Sequence, residues 1–132
     1  MRSHALSKKN IGDAGENRAA AHLQMAGLQL LERNYRTPGR GGGEIDLIMR
    51  DRDGTLVFVE VRQRASSAYG GAAASITASK QQRIILAARH YLLRLGPASP
   101  PCRFDVVCIE ARSGEPSAPA ALQWFKAAFD AG

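Results

Sequence analysis

The chain has 132 residues, enough for one domain built around a single hydrophobic core. Hydrophobic residues make up 45% of it and the formal net charge is +6, a composition ordinary for a globular protein and basic overall. No apolar stretch is long enough to cross a bilayer, and the polar, basic start lacks the apolar segment of a signal peptide. We therefore expect a cytoplasmic protein with no membrane partner: one domain over residues 1–132, with a flexible N-terminus over residues 1–9.

The positive charge is concentrated in one segment. Between Val61 and Phe104 there are seven basic residues and no acidic one, whereas the rest of the chain carries eleven basic and twelve acidic residues, a net of −1. The whole surplus therefore belongs to this segment. Such a block is typical of a surface that faces a polyanion, and nucleic acid is the obvious candidate. Generic solubilising charge is the alternative.

In chain order, the first predicted element is an alanine-rich helix over residues 10–26. Glu16 shares a helical face with Leu23, so it lies on or beside the packing stripe. Asp13 and Glu16 have the spacing of a capping box, which offers a purely structural explanation for the acid. A strand over residues 28–35 follows.

A glycine-rich loop over residues 37–43 leads from this strand to the next. Glycine backbone can approach a phosphate closely, and Arg36 and Arg40 could contact a nucleic-acid backbone. The loop is not a Walker motif, because no Gly-Lys-Ser/Thr follows the glycines. A plain connector is the other interpretation.

Two apolar runs, residues 43–49 and 56–62, are predicted to form a hairpin. Gly54 suits the left-handed position of a three-residue loop. In that register the cross-strand pairs are Ile48–Phe58, Asp46–Glu60 and Glu44–Arg62. A two-residue loop would shift the register by one and separate Asp46 from Glu60.

The favoured register gives the hairpin two different faces. One is wholly aliphatic, formed by Ile45, Leu47, Met49, Val57, Val59 and Val61. The other carries Asp46 opposite Glu60, and two opposed carboxylates repel unless a proton or a cation lies between them. Oxygen-only ligands suit Mg²⁺ or Mn²⁺ rather than zinc, and such a cation suggests phosphoryl chemistry. An internal ion-pair cluster of Glu60 and Glu44 with Arg62 is the competing interpretation.

The second half of the chain begins with a predicted loop over residues 63–79. A helix over residues 80–95 follows, with Thr77 or Ser79 as its cap. Its apolar stripe is Ile84, Ala88, Tyr91, Leu92 and Leu95. On its other side, Lys80 and Arg83 belong to a basic stripe that could track phosphates. Lys80, near the start of the helix, could also lie close to this carboxylate site. It would supply a primary amine there, which the guanidinium group of Arg62 cannot.

A further strand over residues 103–110 is predicted to pair in parallel with the hairpin through a right-handed crossover. Asp105 on this strand is interpreted as structural. Cys102 and Cys108 match no zinc-binding spacing and are predicted to be buried, reduced thiols. Residues 113–120 are a predicted surface loop. Residues 122–131 are a short amphipathic end whose aromatic side chains, Trp124, Phe125 and Phe129, pack on the sheet.

Four ordered motifs, at residues 12–16, 43–48, 57–64 and 103–107, together resemble the YraN family of small bacterial proteins. The resemblance implies an α/β, restriction-endonuclease-like fold of the PD-(D/E)xK type: a three-layer domain with a central mixed β-sheet flanked by helices. It also implies kinship with archaeal Holliday-junction resolvases. We therefore expect a nucleic-acid partner, DNA in preference to RNA, and a homodimer is one possible assembly.

The same resemblance implies a divalent-metal-dependent endonuclease acting on phosphodiesters, including those of branched DNA. In that hypothesis Asp46 and Glu60 bind Mg²⁺ or Mn²⁺, and Glu16 and Glu44 complete the shell. Arg62 stands where the family motif has lysine, and it steadies the phosphate and the attacking water. The predicted nucleic-acid contacts are Arg36, Arg40, Arg64, Lys80 and Arg83.

Two other hypotheses stay open. Arginine keeps the positive charge but is planar and never deprotonates, so Arg62 could leave a nucleic-acid-binding module without turnover. Alternatively, the acids and Arg62 form a structural salt-bridge cluster, and the protein is an adaptor.

Overall fold

The computed structural model describes residues 8–64, 76–110 and 121–131, apart from the side chains of residues 8–12 and Arg64. The elements in chain order are α1 (Lys8–Met25), β1 (Gln29–Arg36), β2 (Glu44–Arg50), β3 (Leu56–Arg64), α2 (Ala78–Leu95), β4 (Cys102–Glu110) and β5 (Ala121–Phe129). Residues 1–7 of the predicted flexible N-terminus, residues 65–75 of the first predicted loop and all of the second, 113–120, lie outside the described residues.

The strands form one five-stranded sheet in the order β1-β2-β3-β4-β5. β3 and β4 run parallel, and the other three neighbouring pairs are antiparallel. A parallel pair cannot be joined by a tight turn, so the chain crosses over between β3 and β4, and α2 lies in that connection. The predicted mixed sheet and its parallel crossover are confirmed.

The two helices cover opposite faces of the sheet. Ala19, Ala20 and Leu23 of α1 belong to one buried cluster, with Leu47, Met49, Val57 and Val59 of the sheet. Ile84, Ile85, Ala88 and Tyr91 of α2 belong to the other, with Ile48, Phe58 and Phe104. A sheet that is apolar on both faces needs a helix on each. The domain therefore has three layers, with the sheet in the middle.

The hairpin between β2 and β3 has the predicted three-residue loop. Gly54 has φ of +92°, and Asp51 and Thr55 close the loop with an N–H to carbonyl hydrogen bond of 2.9 Å. The paired residues include Ile48↔Phe58 and end at Leu47↔Val59. This confirms the register that points Asp46 towards Glu60.

The predicted aliphatic face is wrong at one residue. Ile45 lies in the α2-side cluster with Tyr35, whereas Leu47 lies in the α1-side cluster, although strict alternation would put Ile45 and Leu47 on the same face. The irregularity is centred on Asp46, opposite which Asn34 of β1 has a left-handed φ of 52°. Asp46 therefore sits where the strand changes the face it presents.

Other predictions need correction at their edges. Residues 121–129 form a full edge strand, paired antiparallel with β4, rather than a short amphipathic end. Phe125 and Phe129 nevertheless pack on the sheet as predicted. Leu95 is 43% exposed and so lies outside the α2 apolar stripe. Cys108 is buried, but Cys102 is exposed.

Candidate active site

Asp46 and Glu60 form a largely buried carboxylate pair where the β2–β3 ladder ends. Asp46 Oδ2 accepts a hydrogen bond of 2.8 Å from the backbone N–H of Val61, in the position where a strand carbonyl would otherwise accept. Glu60 is only 7% exposed, and its Oε1 atom has no hydrogen-bond partner among the described residues. Buried carboxylate oxygens are normally satisfied, so this oxygen is available to a ligand.

Both carboxyl groups of the pair are harder to ionise than usual. Burial, followed by the charge of Glu60, raises the pKa of Asp46 to about 7, against the hydrogen bond from Val61. Burial also raises the pKa of Glu60, although the charge of Lys80 opposes it. The two carboxyl groups are close enough for the charge of Glu60 to act directly on Asp46. A proton or a cation between the two groups would relieve this repulsion.

Lys80 brings a positive charge to this pair from the first turn of α2. Its Nζ atom lies 3.5 Å from Glu60 Oε2. Thr77 begins the helix, because its Oγ1 accepts the N–H of Lys80 at 3.1 Å, and this cap fixes the lysine relative to the sheet. Lys80, Thr77, Glu60 and Arg62 share a cleft of about 290 Å³. Lys80 therefore lies close to the site, as the sequence suggested, with Glu60 as its carboxylate contact.

Glu16 faces the same site from α1. Burial and the charge of Asp46 raise its pKa, while a hydrogen bond from Asn34 and the charge of Arg33 oppose the rise. Within the part of the chain that the structure describes, its Oε1 atom has no hydrogen-bond partner, and Arg33 Nη2 lies 3.7 Å away. The capping-box explanation is wrong, because α1 begins at Lys8 and Glu16 lies beyond its first turn.

Glu44 does not join this pair. Its Oε1 atom accepts a hydrogen bond of 3.0 Å from Arg83 Nη2, and its Oε2 lies 3.8 Å from Arg36 Nη2. The β2–β3 ladder does not extend to the predicted Glu44–Arg62 pair. Two of the predicted nucleic-acid contacts, Arg36 and Arg83, thus converge on Glu44 beside the glycine loop.

The remaining predicted contacts are placed less closely. Arg40 is exposed on the glycine loop, and the side chain of Arg64 lies outside the described residues. Later turns of α2 serve packing instead: His90 Nδ1 lies 2.6 Å from Tyr35 Oη, and Arg94 Nη1 donates to the same oxygen at 3.4 Å. Among the helix residues predicted to bind nucleic acid, those of the first two turns face the site.

Sequence reasoning missed Asn34, which links Glu16 to the point where β1 and β2 change face. The signal was present, because asparagine is the residue other than glycine that most readily adopts a left-handed backbone. It also missed Ile76, which is buried beside Thr77 and lines the cleft.

The residues present fit a small metal site rather than a cage. Within the described ranges no three or more His, Cys, Asp or Glu side chains are grouped so that they could hold a metal ion. The predicted shell of four carboxylates is therefore not preassembled. Asp46 and Glu60 still offer adjacent oxygens, and one of these, Glu60 Oε1, accepts no hydrogen bond from the described residues. Mg²⁺ commonly uses one or two carboxylates and takes its other ligands from water and substrate phosphate.

The fold and site define a class: a mixed α/β protein with a buried carboxylate pair at a strand end, faced by a lysine from a basic helix. No helix in the described part of the chain has the length and apolarity needed to cross a membrane. Residues 15–109 match the uncharacterised protein family UPF0102, and the chain belongs to this family, the YraN family.

Relatives carry the same family name. The UPF0102 protein of Paracidovorax citrulli (strain AAC00-1) is 70% identical over 121 residues, which cover 92% of this chain and 83% of the relative. The UPF0102 protein of Acidovorax sp. (strain JS42) is 64% identical over 127 residues, covering 96% of this chain and 89% of the relative. The UPF0102 protein of Albidiferax ferrireducens is 63% identical over 131 residues, which cover 99% of this chain and 95% of the relative.

Proposed function

We propose that this protein is a divalent-metal-dependent endonuclease on a restriction-endonuclease-like fold, with branched DNA as the first substrate to test. The observation that carries the proposal is the buried Asp46–Glu60 pair, which faces Lys80 and holds an oxygen that no described residue contacts by a hydrogen bond. Burying two adjacent carboxyl groups costs stability, so a structural role alone explains the pair poorly. The basic residues of α2, together with Arg62 in the cleft and Arg36 at the glycine loop, suit a polyanionic substrate.

The residues divide the work of hydrolysis. Asp46 and Glu60 would hold Mg²⁺ or Mn²⁺, which activates water and neutralises charge on the phosphodiester. Water oxygen forms a new bond to phosphorus as the bond to the leaving oxygen breaks, giving a phosphate monoester and an alcohol. The N–H of Val61 holds the Asp46 carboxylate in place. Glu16, which faces Asp46 from α1, would complete or orient the ligand shell of the metal.

Lys80 and Arg62 provide the positive charge that faces the phosphate. Both line the cleft beside Glu60. An ammonium is a compact point charge, whereas a guanidinium is a planar fork that clamps phosphate oxygens. We propose that Lys80 does from the helix what the lysine of the family motif does from the strand, and that Arg62 steadies the phosphate.

The test is Mg²⁺- or Mn²⁺-dependent cleavage of a labelled panel of branched, flapped, single-stranded and duplex DNA. The wild type is compared with Asp46→Asn, Lys80→Gln and Arg62→Lys, and Arg89→Gln on the same helix serves as the charge control. We expect Asp46→Asn and Lys80→Gln to lower the rate at least about 100-fold, since each removes a group at the reacting centre. Arg89→Gln should retain activity.

Arg62 supports a second candidate, a nucleic-acid-binding module without turnover. Activity in Arg62→Lys alone would identify a nuclease scaffold inactivated at this residue, and it would move the function to binding. Absence of cleavage by wild type and all variants, together with no metal binding, would contradict the nuclease proposal.

A further inference from the structure

A second polar cavity lies beside the carboxylate pair, on the glycine loop between β1 and β2. Its volume is about 350 Å³. It is lined by Arg36, Thr37, Gly39, Gly41, Gly42, Gly43, Glu44 and Arg83. Thr37 closes the loop on itself, because its N–H donates to Gly43 O at 3.0 Å and its Oγ1 accepts from Gly43 N at 2.7 Å. The loop is thus a hydrogen-bonded ring rather than a loose connector.

Two glycine positions explain why this loop lies where it does. A Cβ atom on Gly43 would collide with the carbonyl oxygen of Arg83 and come within 2.7 Å of Ala87 N, so only glycine lets the loop rest on α2. Gly41, with φ of +65°, has open space where a Cβ would stand. The loop therefore presents bare backbone to the cavity and keeps Arg83 at its wall.

The charge inside the cavity is balanced in a particular way. Arg83 Nη2 is 3.0 Å from Glu44 Oε1, and Arg36 Nη2 is 3.8 Å from Glu44 Oε2. Two guanidinium groups and one carboxylate sum to one net positive charge. A phosphodiester carries one negative charge, whereas a terminal phosphate carries about 1.5 to 2 at neutral pH. The Glu44 carboxylate would repel the second negative charge of a terminal phosphate, so the site suits the single charge of an internal backbone phosphate better than a strand end.

We propose that the glycine-loop cavity binds one internal phosphodiester of the substrate, next to the phosphodiester at the carboxylate pair. Glu44 holds the two guanidinium groups apart and in place, and in doing so sets the net charge of the site. Because Glu44 is two residues from Asp46 along β2, the cavity and the carboxylate pair adjoin. This inference rests on the nucleic-acid part of the proposed function but not on turnover.

The test follows backbone amides by NMR, which suits a chain of 14.2 kDa and resolves glycine signals well. The protein is titrated in EDTA with three probes: the dinucleotide d(TpT), its uncharged methylphosphonate analogue, and thymidine 5′-monophosphate. We expect d(TpT) to shift the amides of Gly39, Gly41 and Gly42. The methylphosphonate analogue should leave them unchanged, and thymidine 5′-monophosphate should bind more weakly than d(TpT).

Variants then assign the effect to the cavity. Arg83→Gln should weaken d(TpT) binding about tenfold, as expected for the loss of one charge-assisted contact. Arg89→Gln, an equal charge loss on the exposed side of the same helix, should change it less than twofold. Glu44→Gln should reverse the preference in favour of thymidine 5′-monophosphate, because it raises the net charge of the site by one.

Equal shifts from the charged and uncharged dinucleotides would overturn the inference. So would shifts confined to Ile76, Thr77 and Lys80, because those residues line the other cleft. Metal-dependent cleavage is absent from this experiment, so a protein that fails to cleave DNA can still pass it. A protein that cleaves DNA but shows no response in the glycine loop contradicts this inference alone.

Discussion

Asp46 takes part in two interactions that favour opposite protonation states. The N–H of Val61 stabilises its carboxylate, whereas burial and the neighbouring Glu60 favour the neutral acid. The balance raises its pKa to about 7, from an ordinary value of 3.8. At this group the folded protein therefore binds more protons than the unfolded chain between these pH values, so the contribution of Asp46 to the free energy of unfolding falls as pH rises through that window.

Replacing Asp46 with asparagine should accordingly stabilise the protein at alkaline pH. The amide keeps an acceptor for Val61 N–H and removes the buried charge. We expect a gain on the order of 2 kcal/mol in the free energy of unfolding at about pH 8, shrinking to nothing below about pH 4. Urea unfolding at both pH values measures it.

Divalent metal should reverse the order of stability of the wild type and Asp46→Asn. A cation that binds the folded wild type raises its melting temperature, but it should leave Asp46→Asn unchanged because a ligand is missing. If Asp46→Asn proved less stable than wild type at pH 8 without metal, Asp46 would be a stabilising ion-pair partner and the site interpretation would fail.

At the scale of elements, the strongest sequence signals were those that depend on neighbours along the chain. Gly54 fixed the loop between β2 and β3, and with it the register that directs Asp46 towards Glu60. Thr77 and the apolar spacing along α2 set that helix. These features were predictable because turn geometry and caps are decided within a few residues.

Features that depend on distant parts of the chain were not predictable in the same way. The displacement of Ile45 to the other face requires the left-handed Asn34 on the neighbouring strand, and no pattern within β2 reveals it. Glu44 was assigned to the metal because the sequence could not show that Arg83, 39 residues later, takes it. The pairing of β5 with β4 likewise depends on tertiary contacts, which cannot be predicted from the pattern of a short aromatic-rich segment.

The contact between the glycine loop and α2 provides a second prediction. Gly43→Ala should push the loop off the helix, because the added methyl group meets the backbone of Arg83 and Ala87. We expect a loss of about 1–3 kcal/mol in the free energy of unfolding, as for other overpacked sites. Thermal unfolding measures the loss, and amide shifts in the first turns of α2 show where it arises.

Gly39→Ala is the matched control for this change. It adds the same methyl group to the same loop and strains the backbone at φ of +90°, but the new atom meets no described residue within 4 Å. The α2 amides should therefore stay in place. Equal displacement of α2 in both variants would show that loop strain, not the contact with the helix, controls the position of Arg83.

The junction of β4 and β5 depends on Asp105, which is fully buried. Its carboxylate accepts hydrogen bonds from Arg103 Nε at 3.1 Å, from Trp124 Nε1 at 2.9 Å and from the N–H of Ala127 at 2.9 Å. Arg103 also bonds Asp51 at the hairpin loop, 2.9 Å away. The interpretation of Asp105 as a structural residue is supported, since three donors from two strands share it.

Asp105→Ala should destabilise the fold by about 3–5 kcal/mol, because it leaves three buried or half-buried donors, Arg103 Nε, Trp124 Nε1 and the N–H of Ala127, without their acceptor, although Arg103 keeps its contact with Asp51. Asp105→Asn, which keeps one acceptor, should lose less. Urea unfolding followed by the fluorescence of Trp124, the one tryptophan of the chain, reports both. A change below about 1 kcal/mol in Asp105→Ala would contradict the structural assignment.

At the scale of the whole molecule, basic side chains of the described residues lie on both faces of the sheet. α2 contributes Lys80 and Arg83 to the site, and Arg36 reaches the same region from the end of β1. α1, on the opposite face, carries Arg18 beside an apolar groove with His22 and Met25. A polyanion should therefore prefer the face that α2 covers, and total charge alone should not determine its affinity.

Salt dependence of DNA binding separates these two possibilities. Removing one phosphate contact lowers the slope of log affinity against log salt by about 0.7–0.9, whereas removing a charge far from the DNA hardly changes it. We therefore expect Arg83→Gln to flatten the slope by that amount between about 50 and 200 mM salt, and Arg18→Gln to leave it unchanged. Both variants lower the formal charge from +6 by one, so net charge cannot distinguish them.

Fluorescence anisotropy with a labelled duplex in EDTA measures the slopes without cleavage. Equal flattening in both variants would mean that DNA responds to overall charge, and the orientation of the substrate over α2 would have to be abandoned.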